Sequence, residues 1–246
     1  MNRFFYEEKQ RTGQTVILQG EDAFHLTRVL RLQSGERIEL CGPEGVCHSA
    51  VITELGKGSV QCTLQEKLPD YEPGIACDLA FALLKGDKTD FVLQKATEIG
   101  ATAFLPVRSS RTVVKLSTKA DRKTERWQRI VRSAAAQAHR NRVPAVYPPQ
   151  EFAELLGLFA AYDRVLFFWE EARHGSLAYA LGGVGPGVRL LLVTGPEGGF
   201  SPKEAALAQE AGALVVTLGP RILRAETAAI TAVALTLYQA GEMGGR

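Results

Sequence analysis

The sequence predicts an α/β protein in two parts, a small β-rich module followed by a mainly parallel α/β domain. Three observations predict it. Residues 37–65 hold three strand-like runs parted by Gly-Pro-Glu-Gly and Gly-Lys-Gly turns, and residues 69–74, with two prolines and a glycine, have the composition of a linker. From residue 75 onward, apolar strands alternate with helical patterns, as a parallel sheet covered on both faces requires. The 246 residues, 46% hydrophobic and 23% charged, match an ordinary globular chain with room for one or two domains. The division is placed at 1–70 and 71–246.

In the first part, Asp22 is placed to cap a segment whose Phe24, Leu26, Val29 and Leu30 recur at helical spacing, with Gly35 as its stop. Strands follow at 37–41, 46–53 and 59–65. The second part reads as strand 75–84, helix 89–99 ended by Gly100, strand 102–107, a basic helix 119–139, strands 164–168 and 188–194, helix 202–211, strand 213–218 and helix 225–240. Ligands of such sheets bind beyond the carboxyl ends of strands.

Composition also excludes. No stretch approaches 18 apolar residues, and Glu7 and Glu8 stand where a signal peptide needs its apolar core, so a cytoplasmic protein outside the membrane is expected. Cys41, Cys47, Cys62 and Cys77 form no C-x-x-C pair and the four histidines no metal motif. No metal is therefore expected, and each thiol is expected reduced and packed as a small hydrophobe. The net charge of +2 hides an asymmetry: residues 108–142 carry 11 Lys and Arg against Asp121 and Glu125. A solvated helix face is the bland reading. With so few internal partners for the cations, an anionic ligand is favoured.

Two segments sit between a strand and a helix. In Thr194-Gly195-Pro196-Glu197-Gly198-Gly199-Phe200-Ser201-Pro202-Lys203-Glu204, Ser201 and Glu204 make a capping box with Pro202 at the first helical position. Capping leaves the three glycines unexplained; they bare the backbone to a ligand, and Glu197 has no packing role among them. In Leu218-Gly219-Pro220-Arg221-Ile222-Leu223-Arg224-Ala225-Glu226-Thr227-Ala228, Glu226 suits the helix N-terminus whereas Arg224 is set against the dipole. A third strand ends at Phe167-Phe168-Trp169, with Trp169 able to line a pocket. The glycine-rich run 182–187 precedes a strand, which excludes a dinucleotide loop.

Taken together, G-P-E-G-G-F-S-x-x-E at 195–204 and L-G-x-R-I-L-R-A-E-T-A at 218–228 resemble the paired signatures of the RsmE family, the small-subunit ribosomal RNA uracil-N3 methyltransferases. His25-Leu26-x-x-Val29-Leu30-Arg31-x-x-x-Gly35 is similar to that family's PUA-like N-terminal domain, Lys95-Ala96-Thr97-Glu98-Ile99-Gly100 to its first catalytic-domain helix, and Ala135-Ala136-Gln137-x-x-Arg140-x-x-x-Pro144 to its central motif. The resemblance implies a PUA-like β-barrel domain plus a SPOUT α/β domain with a C-terminal trefoil knot. It also implies a homodimer, S-adenosylmethionine as cofactor, and methylation of N3 of a uridine in the decoding region of 16S rRNA, within the 30S ribosomal subunit.

Carried onto this chain, the cofactor residues are Phe167, Phe168, Trp169, Thr194, Gly195, Pro196, Glu197, Gly198, Gly199, Leu218, Gly219, Ile222, Leu223, Arg224, Ala225, Thr227 and Ala228. Uracil N3 is a poor nucleophile until its proton leaves. Arg224 is expected to stabilise charge on a uracil oxygen, with Glu197 or Glu226 as the base. RNA contacts are expected from Arg3 and Arg31 and from Arg108, Arg111, Lys115, Arg126, Arg129, Arg132, Arg140 and Arg142. A transferase acting on another RNA base and a non-catalytic RNA-binding adaptor are the alternative readings.

Overall fold

A computed structural model describes residues 1–114, 120–172 and 175–244. The chain forms two units, Met1–Glu72 with Ala135–Val143, and Pro73–Ala134 with Pro144–Arg246. A division at 70 and 71 assigns the segment 135–143 to the second part; it belongs to the first unit.

The first unit is a six-stranded sheet of β1 (Arg3–Phe5), β2 (Arg11–Thr12), β3 (Thr15–Gln19), β4 (Arg37–Cys41), β5 (Cys47–Leu55) and β6 (Ser59–Lys67), in the order β1-β4-β5-β6-β3-β2. All neighbours are antiparallel except β1 and β4. Its core comes from alternating positions: Val16 and Leu18, Ile38 and Leu40, Val60, Cys62 and Leu64. In β5 a register shift between His48 and Ala50 turns Ala50 and Ile52 inward. Helix α1 (Gly20–Phe24) starts two residues before Asp22 and continues as a π-helical turn, His25–Val29. The wider turn breaks the 3.6-residue repeat, so Leu26 is buried while Phe24 and Val29, expected on the same inner face, are exposed.

The thiol expectation fails in this unit. Cys41 and Cys47 form a disulfide, because they are direct register partners at the closed end of the β4–β5 hairpin, with Cα atoms 4.0 Å apart. Six residues of sequence separation conceal a cross-strand contact. Cys62 and Cys77 lie outside the disulfide and are buried, and burial pushes the Cys62 thiol up to about 12.

Two of the arginines assigned to RNA are structural. The Arg3 guanidinium is buried, donating to Glu39 at 2.8 Å, to the His139 carbonyl, and to Asn141 at 3.3 Å. Arg140 is equally buried against Glu72, whose carboxylate also accepts the backbone N–H groups of Asn141 and Arg142. Neither guanidinium has surface left for a phosphate.

The second unit has an all-parallel sheet of β7 (Ala76–Ala82), β8 (Ala103–Arg108), β9 (Ala145–Val146), β10 (Gln150–Glu151), β11 (Arg164–Phe168), β12 (Arg189–Thr194) and β13 (Leu214–Val216). The main order is β10-β8-β7-β12-β11-β13, and β9 also pairs with β8. Helices are α2 (Lys88–Ile99), α3 (Ala120–Gln137), α4 (Phe152–Leu156), α5 (Leu177–Ala180), α6 (Pro202–Glu210) and α7 (Ala225–Gln239). Helices α2 and α7 pack together on the sheet, while Phe152, Leu155, Ala205 and Ala208 from α4 and α6 join Phe167, Leu191 and Val193 in a separate core cluster. One register row crosses four strands near their carboxyl ends: Phe81, Thr194, Phe168 and Val216. The loops after β7, β11, β12 and β13 therefore leave the sheet at one level. No described helix is long and apolar enough to cross a membrane.

The Arg140–Glu72 pair is buried on both sides, whereas Arg108 and Glu151, 2.7 Å apart, are both about half exposed. Arg140→Ala is expected to lower unfolding stability by roughly 3–5 kcal/mol, because it strands a buried carboxylate. Arg108→Ala is expected to cost below about 1 kcal/mol. Denaturant titration of both variants checks the contrast; equal losses would refute it.

Candidate functional site

Beyond the carboxyl ends of β11, β12 and β13 lies a cavity of about 670 Å³. Its walls are Phe168, Trp169, Glu170 and Ala172 from the first loop, Thr194, Gly195, Pro196, Glu197 and Gly199 from the second, and residues 217–225 with Ala228 from the third; Lys88 completes the lining. This size, with apolar walls and a few polar groups, suits a small-molecule ligand.

The middle loop is held from behind. Arg111 donates to the carbonyl of Gly198 at 3.0 Å, and the Trp169 indole N–H donates to the carbonyl of Phe200 at 3.2 Å. Phe200 is itself buried against Phe167, ring centroids 4.3 Å apart. Glu204 does more than cap α6. Its carboxylate accepts the Ser201 N–H and hydroxyl and also the Ser110 N–H and hydroxyl, the last two at 2.7 Å, which fastens the loop after β8 to the start of α6. Gly199 has φ +65°, and a Cβ there would collide with the Glu170 carboxylate. The left-handed backbone demands glycine, whereas the carboxylate, at the end of a flexible side chain, could swing aside.

Charges gather at one side of the cavity. Lys88, at the start of α2, lies 3.6 Å from Glu197 Oε1 and 3.3 Å from Glu226 Oε2. Burial pushes the Glu197 carboxyl up, but its own backbone N–H, that of Lys85 and the Lys88 ammonium outweigh this and hold it below its ordinary value. Glu226 differs: it lies outside the cavity lining, its Oε2 is buried with no hydrogen-bond donor among the described residues, and its contact to Lys88 is an ion pair without hydrogen-bond geometry. Arg224 is the N-cap of α7 and is exposed, its guanidinium making no ion pair or hydrogen bond among the described residues.

The expected cofactor residues are thus largely brought together. Phe167 is absent from the lining, its side chain wholly buried in the core, and Gly198 and Thr227 are also outside the lining and exposed. Lys88, Glu170, Ala172 and Thr217 escape the sequence reading, while Pro220 and Arg221 lie in a loop it singles out without being assigned to the cofactor. Lys88 has a legible signal, because residues 83–88 form a strand-to-helix junction of the same kind as the two singled out.

The basic residues divide by environment. Lys115 lies outside the described residues. Arg111 braces the loop, Arg108 pairs with Glu151, Arg126 with Asp90, and Arg142 donates to the Glu44 carbonyl at 3.1 Å while remaining exposed. Arg31 is exposed with φ +56°, Arg129 is exposed on α3, and Arg132 is half-buried. Among the described residues no group of His, Cys, Asp and Glu is arranged to hold a metal ion.

A parallel sheet with a cavity at its carboxyl edge, in a chain that also carries a β-rich unit, is the architecture of an RNA methyltransferase with a PUA domain. Residues 72–237 match the family model described as the RNA methyltransferase domain, and residues 18–65 match the RNA methyltransferase PUA domain. Ribosomal RNA small subunit methyltransferase E of Bacillus subtilis is 36% identical, with 97% of each chain covered, and that of Mycobacterium bovis is 32% identical over 94% of this chain and 88% of its own. The crystal structure of the Neisseria gonorrhoeae enzyme of the same name, bound to S-adenosyl methionine, superposes with a TM-score of 0.86 at 36% identity and 97% coverage of both chains. The chain belongs to the ribosomal RNA small subunit methyltransferase E (RsmE) family.

The four donors to Glu204 hold its carboxyl below the ordinary 4.5, although burial alone would raise it. A depressed folded-state value adds stability that is complete above the unfolded value and is lost as pH falls through the folded one. Stability is therefore expected to decline on acidification below about pH 4.5, and Glu204→Gln to flatten that decline while lowering stability at neutral pH. Denaturant midpoints across pH 3–7 test this; a variant with an unchanged acid limb would refute it.

Proposed function

We propose that this chain transfers the methyl group of S-adenosylmethionine to N3 of a uridine in the decoding region of 16S rRNA, within the 30S subunit. The observation that carries the reading is the cavity itself. Three strand-end loops line it, and the buried hydroxyl of the lining residue Thr194 lacks a hydrogen-bond partner among the described residues. Its lining fits the cofactor: Trp169, Leu218, Ile222 and Leu223 offer apolar surface, while Gly195, Gly199 and Gly219 leave backbone groups uncovered. The cofactor supplies, when bound, a methyl carbon carried on a sulfonium.

The chain's own groups do the rest. Arg224 is free to donate to a uracil carbonyl oxygen as negative charge develops there. Between the two carboxylates, Glu226 is the better proton acceptor, because Glu197 is already satisfied by two backbone N–H groups and Lys88. The N3 proton passes to Glu226, and the N3 electron pair forms the bond to the methyl carbon as the carbon–sulfur bond breaks toward sulfur. The loops after β12 and β13 are proposed to form the trefoil knot, a reading supported by the insertion of β12 between β7 and β11. A homodimer is proposed with it, for which Leu235 and Tyr238, exposed on α7, are candidate contacts. Cytoplasmic location follows from a ribosomal substrate.

The exposed cations of α3, Arg122, Lys123 and Arg129, are proposed to meet RNA phosphates. Arg122→Ala with Arg129→Ala should reduce the slope of log affinity against log salt by roughly 0.7–0.9 per phosphate released from its arginine, without moving the methylated base. An unchanged slope would remove these side chains from the interface.

Mass spectrometry of nucleosides from 30S particles lacking the modification should show N3-methyluridine after incubation with the protein and S-adenosylmethionine; another methylated nucleoside would overturn the assignment. Arg224→Lys keeps the charge but loses the planar fork, so kcat should fall while calorimetric cofactor affinity stays near wild type. Loss of affinity with kcat intact would make Arg224 a cofactor ligand instead.

A further inference from the structure

We propose that Lys88 is a positioning residue for methyl transfer, acting through Glu226. The inference rests on the reading above, in which Glu226 takes the N3 proton. One ammonium stands between carboxylates from two separate loops, Glu197 at 3.6 Å and Glu226 at 3.3 Å. Glu197 lines the cavity from the loop after β12, whereas Glu226, in the first turn of α7, lies outside the lining beside Ala225 and meets the cavity through Lys88.

The backbone beneath Lys88 is fixed. The Thr89 hydroxyl, buried beside it, accepts the Leu84 N–H at 3.2 Å and donates to the Leu84 carbonyl at 3.3 Å, while Asp90 is paired with Arg126. The ammonium is therefore presented by a helix whose start is locked on both sides, which is how a side chain gains reproducible aim. Its contact with Glu226 is electrostatic and leaves the Oε2 lone pairs unclaimed by any donor. A proton acceptor needs this combination. A buried carboxylate without a countercharge is driven toward its neutral form, which accepts nothing, whereas Glu197 already has two backbone N–H donors beside Lys88. Lys88 also offsets the repulsion between the two carboxylates.

The expected signature separates positioning from binding. With Lys88→Met, kcat on 30S particles should fall about 100-fold, the scale of a misplaced reacting group, while KM for RNA and calorimetric affinity for S-adenosylmethionine stay within about threefold. Lys88→Arg should recover at least about tenfold of the kcat loss. In a Glu226→Gln background, Lys88→Met should cost less than about threefold more, because residues acting as one unit are not additive. Should Lys88→Met not fold, by thermal midpoint, the Lys88→Arg and Lys88→Gln variants carry the same comparison. A wild-type kcat in the Met or Gln variant, losses that multiply independently of Glu226, or a rise confined to KM would each overturn the proposal while leaving the methyltransferase reading intact. A wild-type protein that makes no N3-methyluridine overturns that reading first and the role of Lys88 with it.

Discussion

Parallel strand direction in the second unit is the constraint on which the site depends. Because β7, β11, β12 and β13 all run the same way and share the row Phe81, Thr194, Phe168 and Val216, every loop that builds the cavity leaves the sheet at one edge. The helices that follow point their N-termini to that edge too, which brings the starts of α2 and α7 within side-chain reach of one another. Carboxylates are stabilised at such ends, and Glu204 and Glu226 each occupy a first turn. Antiparallel pairing would have sent alternate loops to the opposite edge and left no cavity.

Much of this is legible in the sequence because parallel sheets write themselves plainly. The runs 37–41 and 164–168 are strands β4 and β11 to the residue, and α6 starts at the Pro202 its capping box predicts. What stays hidden is short or irregular. Strands β2, β9 and β10 have two residues each, too few for any period, and the π-helical turn at His25–Val29 interrupts a helical repeat that Phe24, Leu26 and Val29 imitate in one dimension. The Cys41–Cys47 bond escapes because pairing depends on hairpin register, which cysteine spacing does not disclose.

Charge is the least legible property. A run of cations in one dimension reads as a single field, yet in three dimensions its members separate into different roles. Arg140 is a buried counterion, Arg126 is tied to Asp90, Arg111 holds a backbone carbonyl, and Arg129 faces solvent. Partners such as Glu72, 68 residues away from Arg140, lie far outside any local window of sequence. The converse holds for Lys88: unremarkable in composition, it becomes prominent only when Glu197 and Glu226 are folded against it.

The glycine at 199 bears on how this loop can change over generations. The +65° φ holds the position, while the Glu170 carboxylate, the movable end of a flexible side chain, fills the space of a Cβ. Shortening residue 170 would clear that space and leave the backbone as it is, so it does not prepare the site for alanine. Position 199 is therefore held to glycine whatever stands at 170, which itself lines the cavity. Variation in this wall of the cavity must enter through its partners, and the glycine constrains the order in which they can be exchanged.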